Sequence, residues 1–482
     1  MNEPSSAPAE PLLGIETHSI DFVPEHERHG RVGDQGLFWF LSNFQFFAIA
    51  IGFVGPSLGL SLGYTALAGA VGIVIGTAFQ AFHASQGAEM GLPQMIQSRA
   101  QFGYRGVIVP LLATLVSVAG YNVVSTVLAS EGLHALWRVD RSTAVVGASL
   151  LATTLAIWGY DWLHQAFRIL FWISLPLFSF LSLAILSGKA GGAVQAGGAF
   201  NWPAFVTQLA SAASFNIGSA PYVSDYSRYL PSRTPRVLII ANVFAGSALS
   251  AIWLIALGAW LATHVGIDDA LLALRQAGDV VRPGLGSILA AISIAALVAT
   301  IGMNAYSGML TLVTAADSLR PLRPTRALRV AVLLALMAFW IAVALSLGSK
   351  AVTYVNGVLV LMLYFLMPWT AVNLIDYFFL RRGRYSIVDL FLPRGMYGSW
   401  GIRGLTAYAV GFVASVPFFV IPNVYTGVLA ARLGGVDLGW LVSAVVSSGT
   451  YLLVSRRFNP DDENLMVSAS RRALRQAPAG AP

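Results

Sequence analysis

The chain has 482 residues, 56% of them hydrophobic and only 11% charged, with a formal net charge of +7. Soluble domains carry about 25% charged residues, so a composition with mean hydropathy +0.69 excludes a water-facing globule. The absence of cysteine excludes disulfides, thiolate chemistry and cysteine-held metals.

A polar opening stretch of about 30 residues lacks the short apolar core of a cleavable signal. It is expected, like the basic and then Ala- and Pro-rich tail after Arg456, to be mobile and dispensable for the central chemistry. Between these ends, apolar runs of membrane-spanning length recur. Runs such as 332–347 show no alternation, which excludes a transmembrane β-barrel. The pattern predicts an all-α polytopic membrane protein of about twelve helices. They fall at 37–58, 66–87, 106–132, 142–160, 164–188, 201–223, 237–264, 284–314, 328–348, 351–378, 404–422 and 435–455. With the amino terminus inside, 22 of the 29 Lys and Arg residues lie on cytoplasmic segments. This positive-inside asymmetry predicts that both termini are cytoplasmic in an inner (cell) membrane. The basic residues therefore report topology and contact with anionic membrane lipids; no nucleic-acid partner is expected.

Two spans are interrupted. The first contains "NFQFFAIAIGFVGPSLG" (43–59), and the sixth runs into "SFNIGSAPYVSDYSRYLP" (214–231). Backbone groups freed by such breaks are tolerated in lipid only where they are buried or line a polar cavity. Paired interrupted helices in corresponding halves point to an inverted-repeat secondary transporter with its site near mid-membrane.

Three further stretches carry a resemblance: "GLPQMIQSRAQFGYRG" (91–106), "APYVSDYSRYLP" (220–231) and "IDYFFLRRGRY" (375–385). Together they resemble the nucleobase:cation symporter-1 family of purine–cytosine permeases and hydantoin and allantoin transporters. The resemblance covers about residues 30 to 455 and implies a leucine-transporter-like fold, with two inverted five-helix repeats plus two extra helices. The implied organisation is a cytoplasmic tail (1–33), a first repeat (34–190), a second repeat (198–380), two further helices (400–456) and a second tail (457–482).

The family ligand is flat and neutral, so its site needs an aromatic face for stacking and amide or hydroxyl groups for the ligand edge. By motif position the resemblance puts the stacking aromatic on Tyr121 and the amide position on Ser125; Asn122 points about 100° away on the helix. In the sixth span it points to Phe215, Asn216, Gly218 and Ser219. In the eighth it points to Asn304, with Thr300 and Ser307 on the same face. An Asn in mid-membrane is costly unless paired, so Asn304 reads as an edge-reading group or as interhelical glue. A coupling sodium would use carbonyls near Ala48 and Ile51 with Asn304 and Ser307. The departure Met303-Asn304 from adjacent hydroxyls leaves sodium and proton both open. His83 is the titratable alternative, although a lone His there also suits packing, and Glu131 suits a solvated or gating carboxylate.

Asp225 and Arg228, spaced i, i+3, are predicted to pair on one face and to reach Arg99, forming an inner gate. The resulting reading is a non-enzymatic symporter importing a nucleobase or related heterocycle, without cofactor and with no metal beyond sodium, as a monomer or weak oligomer. The rivals are a hydantoin or allantoin carrier, an ion channel, which wants rings of charge or carbonyls, and a membrane enzyme, which wants clustered ionisable groups inside the spans.

Overall fold

The computed structural model describes residues 16, 18–191, 198–322, 324–348, 355–421 and 424–476. In lipid every backbone polar group must be satisfied within the chain, and the apolar runs do so as helices. Among the described residues eight unbroken helices are long and apolar enough to cross a membrane, from Leu62–Met90 to Val360–Leu380. The first span is the pair Val32–Asn43 and Phe46–Ser57, bent by 57°. The sixth is Trp202–Ile217, a tight turn at Ala220–Tyr222, and the short helix Val223–Ser227. The shorter apolar helices Ile402–Phe418 and Gly439–Val454 complete the twelve segments. Positions 351–354 of the predicted tenth span lie outside the described residues.

The spans sort into two packed groups. The second span packs against the sixth and seventh, and the seventh against both halves of the first. Small residues let these backbones touch, as membrane helices require. A Cβ on Gly72 or Gly76 of the second span would lie 2.2 Å from Leu209 O or 2.3 Å from Ala213 O of the sixth. The third, fourth, eighth and ninth spans form the other group. The first span leans on the unbroken eighth span of the second group, and the sixth reaches it through Tyr222 to Asn304 Oδ1 (2.9 Å) and Tyr226 to Met303 O (2.8 Å).

The described parts of both tails depart from expectation, because they are docked rather than loose. Ile20 and Val23 are buried, and Val23 N donates to Gly91 O (2.9 Å). The buried Arg28 donates to Ala88 O (2.6 Å). Ala88 and Gly91 end the second span, where helix carbonyls lack intrahelical partners; the amino-terminal segment supplies them. At the other end, Glu463 takes a two-pronged ion pair from Arg381 (2.8 Å for both contacts), and Ser470 Oγ accepts from Val388 N (3.1 Å). The helix Ala270–Val281, capped by Asp269, packs on the eighth span at the opposite face and was not foreseen.

Candidate functional site

The first break falls at Phe44–Gln45, at the start of the predicted interruption. Asn43 ends one half-helix, and Gln45, in extended backbone, caps the next by accepting from Phe47 N (2.6 Å). Ala48 and Ile51 lie buried on the second half-helix, which Ile51 ends; Gly52 N turns to Ile49 O and Ala50 O, and Gly55 N goes to Gln208 Oε1 (2.7 Å). The sixth span breaks after Ile217, and one amide joins the two breaks. Asn43 Nδ2 donates to Asn216 Oδ1 (2.7 Å) and to Ser247 O (3.1 Å), while Asn216 Nδ2 donates to Thr77 Oγ1 (2.6 Å). Asn216 is thus a clamp between the broken spans and the second span, not a ligand-reading group, and it is absent from the cavity wall.

Beside this clamp lies a narrow cavity, which leaves about 20 Å³ for the centres of water molecules, room for one or two. Of the predicted substrate residues, Tyr121, Ser125, Phe215, Ser219, Thr300 and Asn304 line it. Trp39, Ser42, Asn43, Gln45, Phe47, Tyr222 and Met303 complete the wall. The first-span members among these were missed because the bend, not the sequence spacing, turns them inward. Gly218 sits behind the wall rather than in it. A Cβ there would lie 2.7 Å from Tyr121 Cε2, so glycine is what lets the Tyr121 ring approach. That ring is pinned by a hydrogen bond to Phe215 O (3.2 Å). Phe47 and Phe215 run nearly parallel, with centroids 5.8 Å apart and planes at 14°.

The polar groups of the wall are neutral. Tyr222 donates to Asn304 Oδ1 (2.9 Å), which turns the Asn304 amide nitrogen free of protein partners among the described residues. Trp39 Nε1 is buried without a partner among the described residues, a group that normally finds one. Among the described residues no Asp, Glu, Lys, Arg or His lines the cavity, and no group of three or more ionisable ligands could hold a metal ion. Thr300 Oγ1 lies 3.4 Å from Ser42 O, joining the eighth span to the first break. Ser307 is one turn past Asn304, buried and bonded to Tyr226 OH (3.3 Å), outside the cavity. Asn122 turns away and donates to Ile301 O (3.4 Å).

Towards the face that carries the two tails the way is shut, though not by the predicted pairs. Arg228 does not pair with Asp225; its ion-pair partner is Glu16 (3.3 Å). Asp225 instead accepts from Gln94 N (3.1 Å). Arg99 is wholly buried and pairs with Asp317 (2.7 Å), not with the sixth span. The i, i+3 rule fails here because the helix Val223–Ser227 is a single turn ending before Arg228, whose side chain is drawn to the docked tail. Beside Asp225, Ser224 Oγ donates to Gln94 Oε1 (2.6 Å), and Gln94 passes donors on through Gln86, Asn373 and Gln101 to Asp376. His83 is packing: its ring stacks on Trp369 (4.6 Å, 11°) and its Nε2 meets Thr370 Oγ1 (2.6 Å). Glu131 forms an ion pair with the exposed Arg141 (2.9 Å) at the opposite face.

The comparisons agree with this architecture. A profile of the family described as permeases for cytosine/purines, uracil, thiamine and allantoin matches residues 22–443. YxlA of Bacillus subtilis, which carries a provisional purine-cytosine permease name, is 31% identical over 92% of this chain and 96% of its own length. The purine-cytosine permease FCY2 of Saccharomyces cerevisiae is 27% identical over 51% of this chain and 48% of its own. Among solved structures, the nucleobase-cation-symport-1 transporter Mhp1, closed with bromovinylhydantoin bound, superposes with a TM-score of 0.72 at 18% identity, covering 95% of this chain and 100% of that one. Its inward-facing form gives 0.65 at 17% identity, covering 97% and 99%. The fold is leucine-transporter-like, with about twelve helices and broken first and sixth spans. This chain belongs to the family of permeases for cytosine and purines, uracil, thiamine and allantoin.

Proposed function

We propose that the protein is a secondary transporter that carries a flat, neutral nucleobase-type heterocycle across the membrane with a cation, by alternating access. The observation that supports this reading is the cavity wall. Aromatic faces from Tyr121, Phe215, Phe47 and Trp39 meet the amide of Asn304 and the hydroxyl of Ser125, and no charged side chain intervenes. A charged substrate would lack a counter-ion there, whereas a heterocycle edge satisfies the open amide and hydroxyl groups. The narrowness of the cavity implies that the wall aromatics part to admit the ligand. No chemical step is involved, and the substrate leaves unchanged.

Sodium or a proton serves as the coupling ion; a sodium would draw on the carbonyls near Ala48 and Ile51, on the second half-helix packed against the eighth span, with Asn304 and Ser307. Sidedness follows the basic residues: the tail-bearing face is cytoplasmic, the protein sits in the inner membrane beside its lipids, and it works as a monomer or weak oligomer. A hydantoin or allantoin would meet the same wall. The deciding experiment is a thermal-shift panel of cytosine, uracil, hypoxanthine, allantoin and hydantoin, with and without sodium. A true substrate raises the melting midpoint by mass action, and Asn304→Ala abolishes that rise while leaving membrane insertion intact. A full shift in the variant would remove Asn304 as an edge reader.

A further inference from the structure

Two guanidinium groups converge on one carboxylate at the tail-bearing face. Arg228, at the end of the sixth span, and Arg329, at the start of the ninth, have side chains only 0% and 3% exposed. Among the described residues the one carboxylate at ion-pairing distance from either is Glu16, 3.3 Å from Arg228 and 3.1 Å from Arg329. Tyr306 of the eighth span donates to the same carboxylate (2.8 Å), as does Tyr229. Arg228 also donates to Ser19 O and Arg329 to Glu16 O. Both Nε atoms remain buried without partners among the described residues.

We propose that Arg228, Arg329, Tyr229 and Tyr306 form a binding site for a compact oxyanion, and that Glu16 occupies it as a ligand supplied by the chain itself. The site straddles the two packed groups of spans, since Arg228 belongs to one and Tyr306 and Arg329 to the other. Glu16 therefore latches the groups together on this face. Two buried guanidiniums stripped of their counter-ion are strongly destabilised, so removing the carboxylate either opens the face to water or draws in another anion. A free carboxylate or phosphate and a lipid head-group phosphate share the required chemistry. The latch is independent of whether the cavity takes a nucleobase.

The chain has no cysteine, so one introduced thiol reports cleanly. Ser307, buried on the eighth span one residue past Tyr306, is suited to it. Thiol-labelling rates are compared for full-length S307C, S307C/E16A and S307C/E16Q in neutral detergent, each first shown to be monodisperse. Loss of the carboxylate is expected to raise labelling about ten-fold or more. Tens of millimolar acetate should restore protection in S307C/E16A, while bulkier gluconate at equal ionic strength should not. Restoration by acetate identifies a free anion as a fitting occupant, and restoration only on adding phosphatidylglycerol identifies a lipid head group. Equal labelling in all three proteins would overturn the latch, and restoration by neither anion source would overturn the site. Should E16A fail to fold, E16Q removes the charge alone and carries the labelling comparison, where labelling equal to S307C would overturn the latch.

Discussion

Gly218→Ala separates binding from folding. The glycine backbone is already right-handed (φ −56°, ψ −25°), so alanine fits it and gains up to about 1 kcal/mol of helical propensity. The added Cβ, however, would lie 2.7 Å from Tyr121 Cε2 and 2.9 Å from its hydroxyl. Ordinary contact begins near 3.4 Å, so the ring must retreat by about 0.7 Å (3.4 less 2.7). Retreat strains the hydrogen bond to Phe215 O (3.2 Å) and displaces the main stacking wall. Overpacking of this size costs about 1–3 kcal/mol. Because the ligand needs the ring in place, that cost falls on binding, an affinity loss of about five- to hundred-fold. Ligand titrations by thermal shift, with the ligand-free melting midpoint recorded alongside, read both terms. The expected result is a modestly lowered midpoint without ligand, from the strained Tyr121 contact, and a much weaker affinity with it. Gly33→Ala, where a Cβ meets nothing within 4 Å, should change neither. Wild-type affinity in Gly218→Ala would refute Tyr121 as a ligand-facing wall.

Asn216→Ala takes from Asn43 one of its two acceptors, Ser247 O remaining, and from Thr77 its amide donor, at about 1–3 kcal/mol in all; calorimetry should show a lowered midpoint even without ligand, and an unchanged one would dissolve the clamp. Arg99→Gln removes one partner of a buried ion pair with Asp317, 1% and 8% exposed, and should cost about 3–5 kcal/mol, read from denaturation in detergent. On the tail-bearing face, the hydrogen bond to Asp161 (3.1 Å) raises the His29 pKa to about 8. Its contribution is present in full below the unfolded value near 6.5 and lost as pH rises through 8. Melting midpoints across that window should fall for the native protein relative to His29→Ala, and parallel curves would show that the contact contributes nothing. Because His29 is half exposed, the difference should also shrink with salt.

The spans were legible because lipid leaves a helix few alternatives, and the breaks because Gly, Pro and Asn cluster where apolar residues were due. Tyr121 and Asn304 could be placed from their motif positions alone. Asn216 was visible as a polar group in a costly place, yet its partner lies 173 residues away, and nothing local says whether an amide faces a ligand or another amide. The main bend at Phe44–Gln45 falls several residues before the Gly and Pro that advertised it, and those mark the further interruption after Ile51. Glu16 was illegible for a different reason. A polar tail without periodicity looks loose, and its value emerges only once Arg228 and Arg329, far apart in sequence, are buried side by side. The Asp225–Arg228 pairing was lost to that same long-range competitor.

The central claim is that the two broken spans enclose a mid-membrane site for a neutral heterocycle moved against its gradient. Uptake of labelled cytosine, uracil, hypoxanthine, allantoin and hydantoin into liposomes holding only this protein, under an imposed sodium or proton gradient, tests it most directly. At least one compound should accumulate saturably, chemically unaltered, and only while the gradient lasts. Uptake that never saturates, or no gradient-driven accumulation of any of the five, would contradict it.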